Sequence, residues 1–325
     1  MTLDEALASL ALGTARLDRS GSAPVITNEH GDWCSDFVAA CSVVSSDNEE
    51  FWLYAEGSAA HHEQIGLFTA QVSSDLRGWV AHPDNPVLRV SDSGFDQGGV
   101  FDPSIVRFRD KWLLYFSATS GDAHGYAITL AAATHAPPPT DERVGVAASS
   151  DGVHFVKHPV PINDARCPFA MVDGSQIRLF YVRPHEGGYS IYTNTSGDGL
   201  HFDPATEVLA LAPGRAGSWD AKSVTTPKVY RGASQYWMAY AGDDSSLDDP
   251  RGIGLATSQD MRTWRRATDS PVLVPGRVND FDSYSLQSPI FLSVNGRVAM
   301  LYAGSDRSVG EGLHSQVGLA WVVKA

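Results

Sequence analysis

Five charged residues stand where short apolar strands are expected to begin. They lie in the segments CSDFVAA, FDPSIV, ARCPFA, WDAKSVTTP and FDSYSLQSP, and they are Asp36, Asp102, Arg166, Asp220 and Asp282. Carboxyl groups that lie close together raise one another's pKa, so one of them keeps its proton while another stays ionised. Such a pair can protonate a leaving oxygen and attack or stabilise the atom left behind. The pattern predicts acid–base chemistry wherever the fold brings these residues together.

The chain repeats one unit about every 60 residues. Five strand-like segments carry a tyrosine in one register, and these residues are Tyr54, Tyr115, Tyr181, Tyr240 and Tyr302. Four repeats continue to an acidic turn residue four positions before an aromatic one, as in Asp75 and Trp79. A repeat of this length with four short strands is typical of a propeller blade, and a closed ring has no free sheet edges. We therefore predict an all-β, five-bladed β-propeller with four-stranded blades; the alternative is a β-sandwich with coincidental repeats.

We predict a single domain over residues 1–325. Its blades are expected at about 30–95, 96–162, 163–213, 214–276 and 277–325. A short helical segment at about 3–17 should precede them, because Asp4 and Glu5 suit the first turn of a helix. The last repeat ends before its fourth strand, which we expect the segment around Pro24–Thr27 to supply. Because inner strands converge on the propeller axis, the charged residues that open them should lie together at one end of the central channel, which we call the mouth.

Three segments resemble the five-bladed propeller glycoside hydrolases of families 43 and 32, and more distantly the family 130 mannoside phosphorylases. They are FDPSIVRFRDKWLLYFS, SSDGVHF and GIGLATSQDMRTWRRATDSPVLVP, and the resemblance covers roughly residues 30–323. It implies an Asp on the first blade as base or nucleophile, an Asp on the second as stabiliser, and an acid, usually Glu, on the third. Carried over to this chain, the resemblance makes Asp36 the first of these residues and Asp102 the second.

The third position departs from that pattern. Family 32 enzymes carry Glu-Cys-Pro there, whereas this chain reads Arg166-Cys167-Pro168, and a guanidinium does not donate a proton near neutral pH. Glu186, in the same repeat, is the substitute donor that we consider. The first position also departs, since no proline follows Asp36. The catalytic candidates are thus Asp36, Asp102 and Glu186, without a complete hydrolytic triad.

Further side chains of the same mouth are expected to bind the substrate. These candidates are Arg166, Asp220, Asp282, His61, His124 and His314. Arg166 either pairs with Asp164 or clamps an anionic group of the ligand. We expect no metal and no other cofactor, because the adjacent residues His61 and His62 point apart on an extended chain. By resemblance, His314 matches a histidine near a central calcium ion in some family 43 enzymes, which keeps such an ion as an alternative.

Charge and composition narrow the classes of partner. A net charge of −14 argues against a nucleic-acid partner, and no apolar run is long enough to span a membrane. The N-terminus lacks the basic and apolar parts of a signal peptide, so we expect a cytoplasmic protein. Cys34, Cys41 and Cys167 have no metal-ligand spacing and are expected to be free thiols.

From these observations we expect a glycoside hydrolase-like enzyme that acts on a small sugar or sugar-like molecule by carboxylate acid–base chemistry. One alternative is a non-hydrolytic relative that catalyses elimination, isomerisation or cyclisation of a biosynthetic intermediate. The other is a propeller that binds sugars without catalysis. Acids that lie close together with shifted pKa values would favour an enzyme, whereas scattered, solvated acids would favour a binding protein.

Overall fold

The computed structural model describes most of the chain. The described residues are 1–19, 21, 23–45, 49–59, 62–120, 141–246, 249–308 and 314–325, with the backbone alone at 40, 41 and 62. Two of the substrate-binding candidates, His61 and His124, lie outside these residues. In the described part of the chain, no helix is long and apolar enough to cross a membrane.

Helix α1 (Leu3–Ala11) opens the chain. Thr2 and Glu5 form a capping box at its start, in which each side chain accepts the other's backbone N–H. The helix ends before Gly13, whose φ of +69° is the left-handed conformation that commonly terminates helices. Strand β1 (Ala15–Arg19) follows directly, so the helix is shorter than the predicted segment 3–17.

The remaining strands form five antiparallel groups in chain order, and a single parallel pair between Tyr189 and Ser223 joins the third group to the fourth. The first group contains β2 (Phe37–Ser45), β3 (Glu50–Ala59), β4 (His62–Gln71) and β5 (Val80–Ala81). The second contains β6 (Gly99–Phe108), β7 (Lys111–Thr119), β8 (Arg143–Ser149), β9 (Val156–Lys157) and β10 (Ile162–Asn163). The third contains β11 (Arg166–Asp173), β12 (Gln176–His185), β13 (Gly188–Ser196) and β14 (Val208–Leu211). The fourth contains β15 (Ser223–Arg231), β16 (Tyr236–Asp243), β17 (Gly252–Ser258) and β18 (Arg265–Arg266). The fifth contains β19 (Ser285–Val294), β20 (Arg297–Ser305) and β21 (Ser315–Lys324). Short 3-10 helices lie at Asn28–His30, Asp32–Cys34, Val72–Ser74 and Pro204–Thr206.

The groups close into a ring through their first strands. Strand β2 contacts β6, β6 contacts β11, β11 contacts β15, β15 contacts β19, and β19 returns to β2. Apolar clusters fill the spaces between neighbouring groups, as where Tyr54, Ile65 and Leu67 pack with Leu114 and Phe116. This is the architecture of a β-propeller, and its five groups agree with the predicted blade number. A two-sheet sandwich would not produce the cyclic contacts.

The N-terminal strand completes the last blade. Strand β1 pairs antiparallel with β21, from Ala15 opposite Lys324 to Arg19 opposite Ala320. The segment around Pro24–Thr27, which was predicted to supply this strand, contributes only a single bridge between Ile26 and Val317. Helix α1 explains the difference, because it packs into the core next to this blade and delivers the residues after it to the free edge of β21.

The five repeat tyrosines all lie on the second strands of their blades, but they occupy two registers. Tyr54 and Tyr115 donate their hydroxyl protons to the carbonyls of Gly152 and Gly199. The other three lie one residue further along relative to the irregularity in the inner strand, and they are Tyr181, Tyr240 and Tyr302. Successive residues of a strand point to opposite faces, so these three reach acidic side chains instead. The prediction of one shared register is therefore wrong.

Candidate active site

Asp102 lies in a bulge that recurs in the inner strands. In blades two to five, pairing with the second strand skips two residues, and the skipped pairs are Asp102-Pro103, Cys167-Pro168, Thr226-Pro227 and Ser288-Pro289. Proline has no N–H for the ladder, which explains why the chain bulges there. The residue before each proline has a φ between 45° and 52°. This left-handed conformation is costly for residues other than glycine, and it turns four equivalent side chains toward the axis.

Two groups hold the Asp102 carboxylate from neighbouring strands. Its Oδ2 accepts a hydrogen bond from the Ser117 hydroxyl at 2.8 Å and one from the Cys167 thiol at 3.3 Å. The backbone N–H of Asp102 donates to Oε2 of Glu56, from the first blade, at 3.2 Å. Asp102 is only 8% exposed, so its carboxyl group lies in a largely enclosed site where the first, second and third blades meet.

Two glutamates of the first blade surround Asp102. Glu56 on β3 and Glu63 on β4 point to the same face of the sheet, because Glu63 pairs with Ser58, two residues along from Glu56. Both are buried. Burial, together with the charge of Asp102, raises the pKa of Glu63 to about 8. Burial also raises the pKa of Glu56 well above its ordinary value, and Glu63 and Asp102 add to this effect. At neutral pH the site therefore combines a protonated Glu63 with the carboxyl group of Asp102, and the pKa of Glu56 is shifted in the same direction.

Arg166 enters the same cluster from the third blade. Its Nη1 lies 3.3 Å from Oε1 of Glu142, and its guanidinium stacks over the ring of Tyr189 at 5.5 Å. Glu142 precedes β8 and occupies the same register position in the second blade as Glu63 does in the first. The structure therefore pairs Arg166 with Glu142, where the sequence suggested Asp164 or a ligand anion as its partner.

A narrow space with no room for a water molecule lies at the propeller axis beside Asp102. It is lined by Asp102, Pro103, Cys167, Pro168, Thr226, Lys228 and Ser288. Calcium prefers six to eight oxygen ligands, which are mostly carboxylates and carbonyls. This lining offers one carboxylate together with the ammonium of Lys228, so it does not fit a central calcium ion. Over the described ranges, no group of three or more His, Cys, Asp or Glu residues could hold a metal.

Asp36 lies at the same end of the ring but not at the equivalent position to Asp102. Its backbone N–H donates to the carbonyl of Ser58 at 2.8 Å, and the Ser58 hydroxyl donates to its carboxylate at 3.2 Å. In the first blade the residue skipped by the strand pairing is Ala40, so Ala40 holds the position that Asp102 holds in the second blade. Asp36 therefore stands four residues before the predicted position, on the exposed rim.

Asp220 and Asp282 do not face the mouth, contrary to the predicted substrate-binding role. Both are fully buried. Asp220 accepts hydrogen bonds from the Tyr240 hydroxyl at 3.0 Å and from Arg266 Nε at 2.7 Å. Asp282 is bound in the same way by a tyrosine of its own blade and by an arginine of the outer strand. They stand six residues before the bulge, at the register position of Asp96, and they fasten inner to outer strands.

The remaining candidates lie further out on the same end. The Glu186 side chain is 86% exposed at the β12–β13 turn, where its carboxylate lies 3.8 Å from His185. It is four residues beyond Val182, the strand partner of Arg166, which corresponds to roughly 13 Å along an extended strand. His314 precedes β21 and contacts Asp306 at 3.1 Å. The structure thus does not bring Glu186 into the buried cluster around Asp102.

Glu56 and Glu63 are not among the catalytic candidates predicted from the sequence. The signal was available, because both glutamates interrupt strands that are otherwise apolar, LYAEGS and HEQIGLF. A buried strand with one acidic residue has to satisfy or neutralise that residue, so such an acid is informative about function.

Comparison with known proteins supports the fold. No family model matches the chain. It is 29% identical over 244 residues to the uncharacterized protein Rv1502 of Mycobacterium tuberculosis, which covers 68% of this chain and 73% of that protein. Among solved structures, a thermostable family-43 glycoside hydrolase aligns with a TM-score of 0.64 at 16% identity, over 89% of this chain and 90% of that one.

An N-acetylgalactosamine deacetylase from F. plautii, solved in complex with blood group B trisaccharide, aligns similarly well. Its TM-score is 0.66 at 14% identity, over 94% of this chain and 94% of that one. Identities this low establish architecture rather than reaction, and the two structures carry different activities in their names. The chain therefore has the β-propeller fold that family-43 glycoside hydrolases also have.

Proposed function

We propose that this chain is a glycoside hydrolase-like enzyme that acts on a small sugar or sugar-like substrate, with Asp102 as the ionised carboxylate and Glu63 as the proton donor. The observation that carries this proposal is the burial of Glu56 and Glu63 against Asp102 at the mouth of the ring. Isolated, solvated acids would have favoured a sugar-binding protein without catalysis. The fold shared with glycoside hydrolases supports the substrate class.

Glu63 suits the donor role better than Glu56 does. Glu56 accepts the backbone N–H of Asp102, which uses one of its oxygens for structure. Oε2 of Glu63 is buried and has no hydrogen-bond partner among the described residues, so it is available to a ligand. A donor with a pKa near 8 is protonated at neutral pH and can transfer its proton as the glycosidic oxygen departs.

In this scheme Glu63 protonates the leaving oxygen while Asp102 attacks the anomeric carbon or activates the water that does so. If water attacks, its proton passes to Asp102. If Asp102 attacks, the glycosyl–Asp102 bond is then hydrolysed by a water whose proton passes to the ionised Glu63, which restores both groups. Burial keeps both groups away from bulk water, which strengthens their electrostatic effect on the developing charge.

A non-hydrolytic acid–base enzyme is the second candidate, and specific residues favour it. By the resemblance, Arg166 stands where the hydrolases carry their acid, and Ala40 rather than Asp36 shares the strand register of Asp102 in the first blade. The same donor and carboxylate could then serve elimination, isomerisation or cyclisation, since each of these reactions needs a proton donor and a proton acceptor.

Paired substrates test the proposal. The aglycone of an activated aryl glycoside departs as a stable anion, whereas the aglycone of an alkyl glycoside needs protonation as it departs, and this help is worth about 10²–10⁴ in rate. Glu63→Gln should slow alkyl glycosides by that factor and spare aryl glycosides, whereas Asp102→Asn should slow both. Asp110→Asn, at an exposed turn on the opposite end of the second blade, is the control.

Three results would contradict this assignment. Selective loss of alkyl activity in Glu186→Gln, with Glu63→Gln unaffected, would move the donor role to the exposed residue. Equal losses in Glu63→Gln on both substrate classes would remove the donor role from Glu63. Absence of cleavage of both classes by the wild-type protein would favour the non-hydrolytic enzyme.

A further inference from the structure

Two buried side chains donate to a single oxygen of Asp102. Oδ2 accepts the Ser117 hydroxyl and the Cys167 thiol, at 2.8 Å and 3.3 Å. Ser117 Oγ in turn accepts the backbone N–H of Cys167 at 2.8 Å. Ser117 is fully buried and Cys167 is 4% exposed, so water does not compete for these bonds.

The hydrogen-bond directions in this group follow from its chemistry. An ionised carboxylate only accepts, so the single hydroxyl proton of Ser117 points to Asp102, and its lone pair is free for the Cys167 N–H. Burial raises the pKa of the Cys167 thiol well above its usual value, which keeps the thiol protonated and able to donate. Both donors therefore serve Oδ2, and neither of them uses Oδ1.

We propose that Ser117 and Cys167 are positioning residues that fix the Asp102 carboxylate with Oδ1 directed toward the substrate. This inference rests on the proposed function of Asp102. Cys167 occupies in the third blade the register position of Asp102 in the second, and its left-handed backbone, with a φ of 51°, brings the thiol across the blade boundary. The third blade thus contributes an orienting donor beside the position where related enzymes carry an acid.

Cys167 gives the cleaner test of the two residues. Ser117→Ala also removes the acceptor of the Cys167 N–H, so it combines loss of orientation with loss of stability. Cys167→Ala removes one donor, and Cys167→Ser restores a donor of similar size. Cys34→Ala is the matched control, because Cys34 is the other buried free thiol of the described residues and lies outside the cluster.

We expect Cys167→Ala to lower kcat on aryl glycosides by about 10–100-fold, because misplacement of a reacting group by about 1 Å has effects of this size. KM should change by less than about threefold, and the acid limb of the pH–rate profile should move to higher pH. Cys167→Ser should recover most of kcat. Equal kinetics in Cys167→Ala and Cys34→Ala would overturn the proposal.

High-resolution crystal structures supply a readout that does not need activity. In Ser117→Ala/Cys167→Ala the Asp102 carboxylate should rotate away from its wild-type orientation, and in Cys167→Ser it should keep that orientation. An unchanged carboxylate in the double variant would overturn the positioning role. A rotated carboxylate in a protein that cleaves no glycoside would support positioning and refute the proposed glycosidase function, so the two failures are distinguishable.

Discussion

Replacement of Glu63 by glutamine should make the protein more stable at alkaline pH. The ordinary pKa of this group is 4.5, and the folded state raises it to about 8. A folded state that binds the proton more tightly than the unfolded chain loses stability as the pH rises between these values. The contribution of Glu63 is therefore fully present below about pH 4.5 and is lost as the pH rises through about 8.

The size of the effect follows from the shift. At about 1.4 kcal/mol per pH unit, the loss in the wild-type protein approaches ~5 kcal/mol above pH 8 as an upper limit. Glutamine resembles the protonated acid and cannot ionise. Glu63→Gln should therefore lie within about 1 kcal/mol of the wild type at pH 5 and exceed its free energy of unfolding at pH 9 by up to that amount.

Urea unfolding at intervals from pH 5 to pH 9, followed by tryptophan fluorescence, measures this difference. Glu186→Gln is the matched control, because it changes the same group on a side chain that is 86% exposed. Its stability profile should run parallel to that of the wild type. Parallel profiles for Glu63→Gln and the wild type would refute the reasoning, since they would show that Glu63 does not keep its proton on folding.

Three further predictions concern the frame that holds the site. Arg266→Ala should cost about 3–5 kcal/mol of stability in urea unfolding, because it leaves the buried carboxylate of Asp220 without its cationic partner. Replacement of the exposed Arg231 by alanine should cost under about 1 kcal/mol. Deletion of residues 1–19 should lower Tm and promote aggregation, measured by calorimetry and light scattering, because it leaves the edge of β21 unpaired. Gly57→Ala should destabilise the fold by about 1–3 kcal/mol, because its Cβ would lie 2.3 Å from the Trp33 ring, whereas Gly197→Ala, with open space around it, should not. An unchanged Tm in the deletion variant, or equal costs within either substitution pair, would contradict the corresponding argument.

The repeat made the propeller predictable from the sequence. Aromatic strands about 60 residues apart specify sheets that bury both faces, and only closure covers all of their edges. The detailed register was harder to predict. Tyr54 and Tyr181 look equivalent in sequence, yet a difference of one residue relative to the bulge sends their hydroxyl groups to opposite faces.

The site shows the same limit. The sequence Asp102-Pro103 indicates that Asp102 lies at an irregular point of its inner strand, because proline cannot donate to the ladder. Asp220 and Asp282 precede their inner strands and stand six residues before the bulge rather than within it, so their carboxylates are buried against Arg266 and Arg19. The residue type alone does not show whether an aspartate lies within the bulge or six residues before it. The partnership of Asp102 with Glu63 could not be derived from the sequence, since it depends on contact between different blades.

Diffraction from crystals soaked in a panel of monosaccharides and their aryl glycosides tests the central claim most directly. The account predicts sugar density at the mouth of the ring, with hydrogen bonds to Oδ1 of Asp102 and to the carboxyl group of Glu63. Density confined to other surfaces of the propeller, with Asp102 and Glu63 free of ligand at saturating sugar, would contradict it.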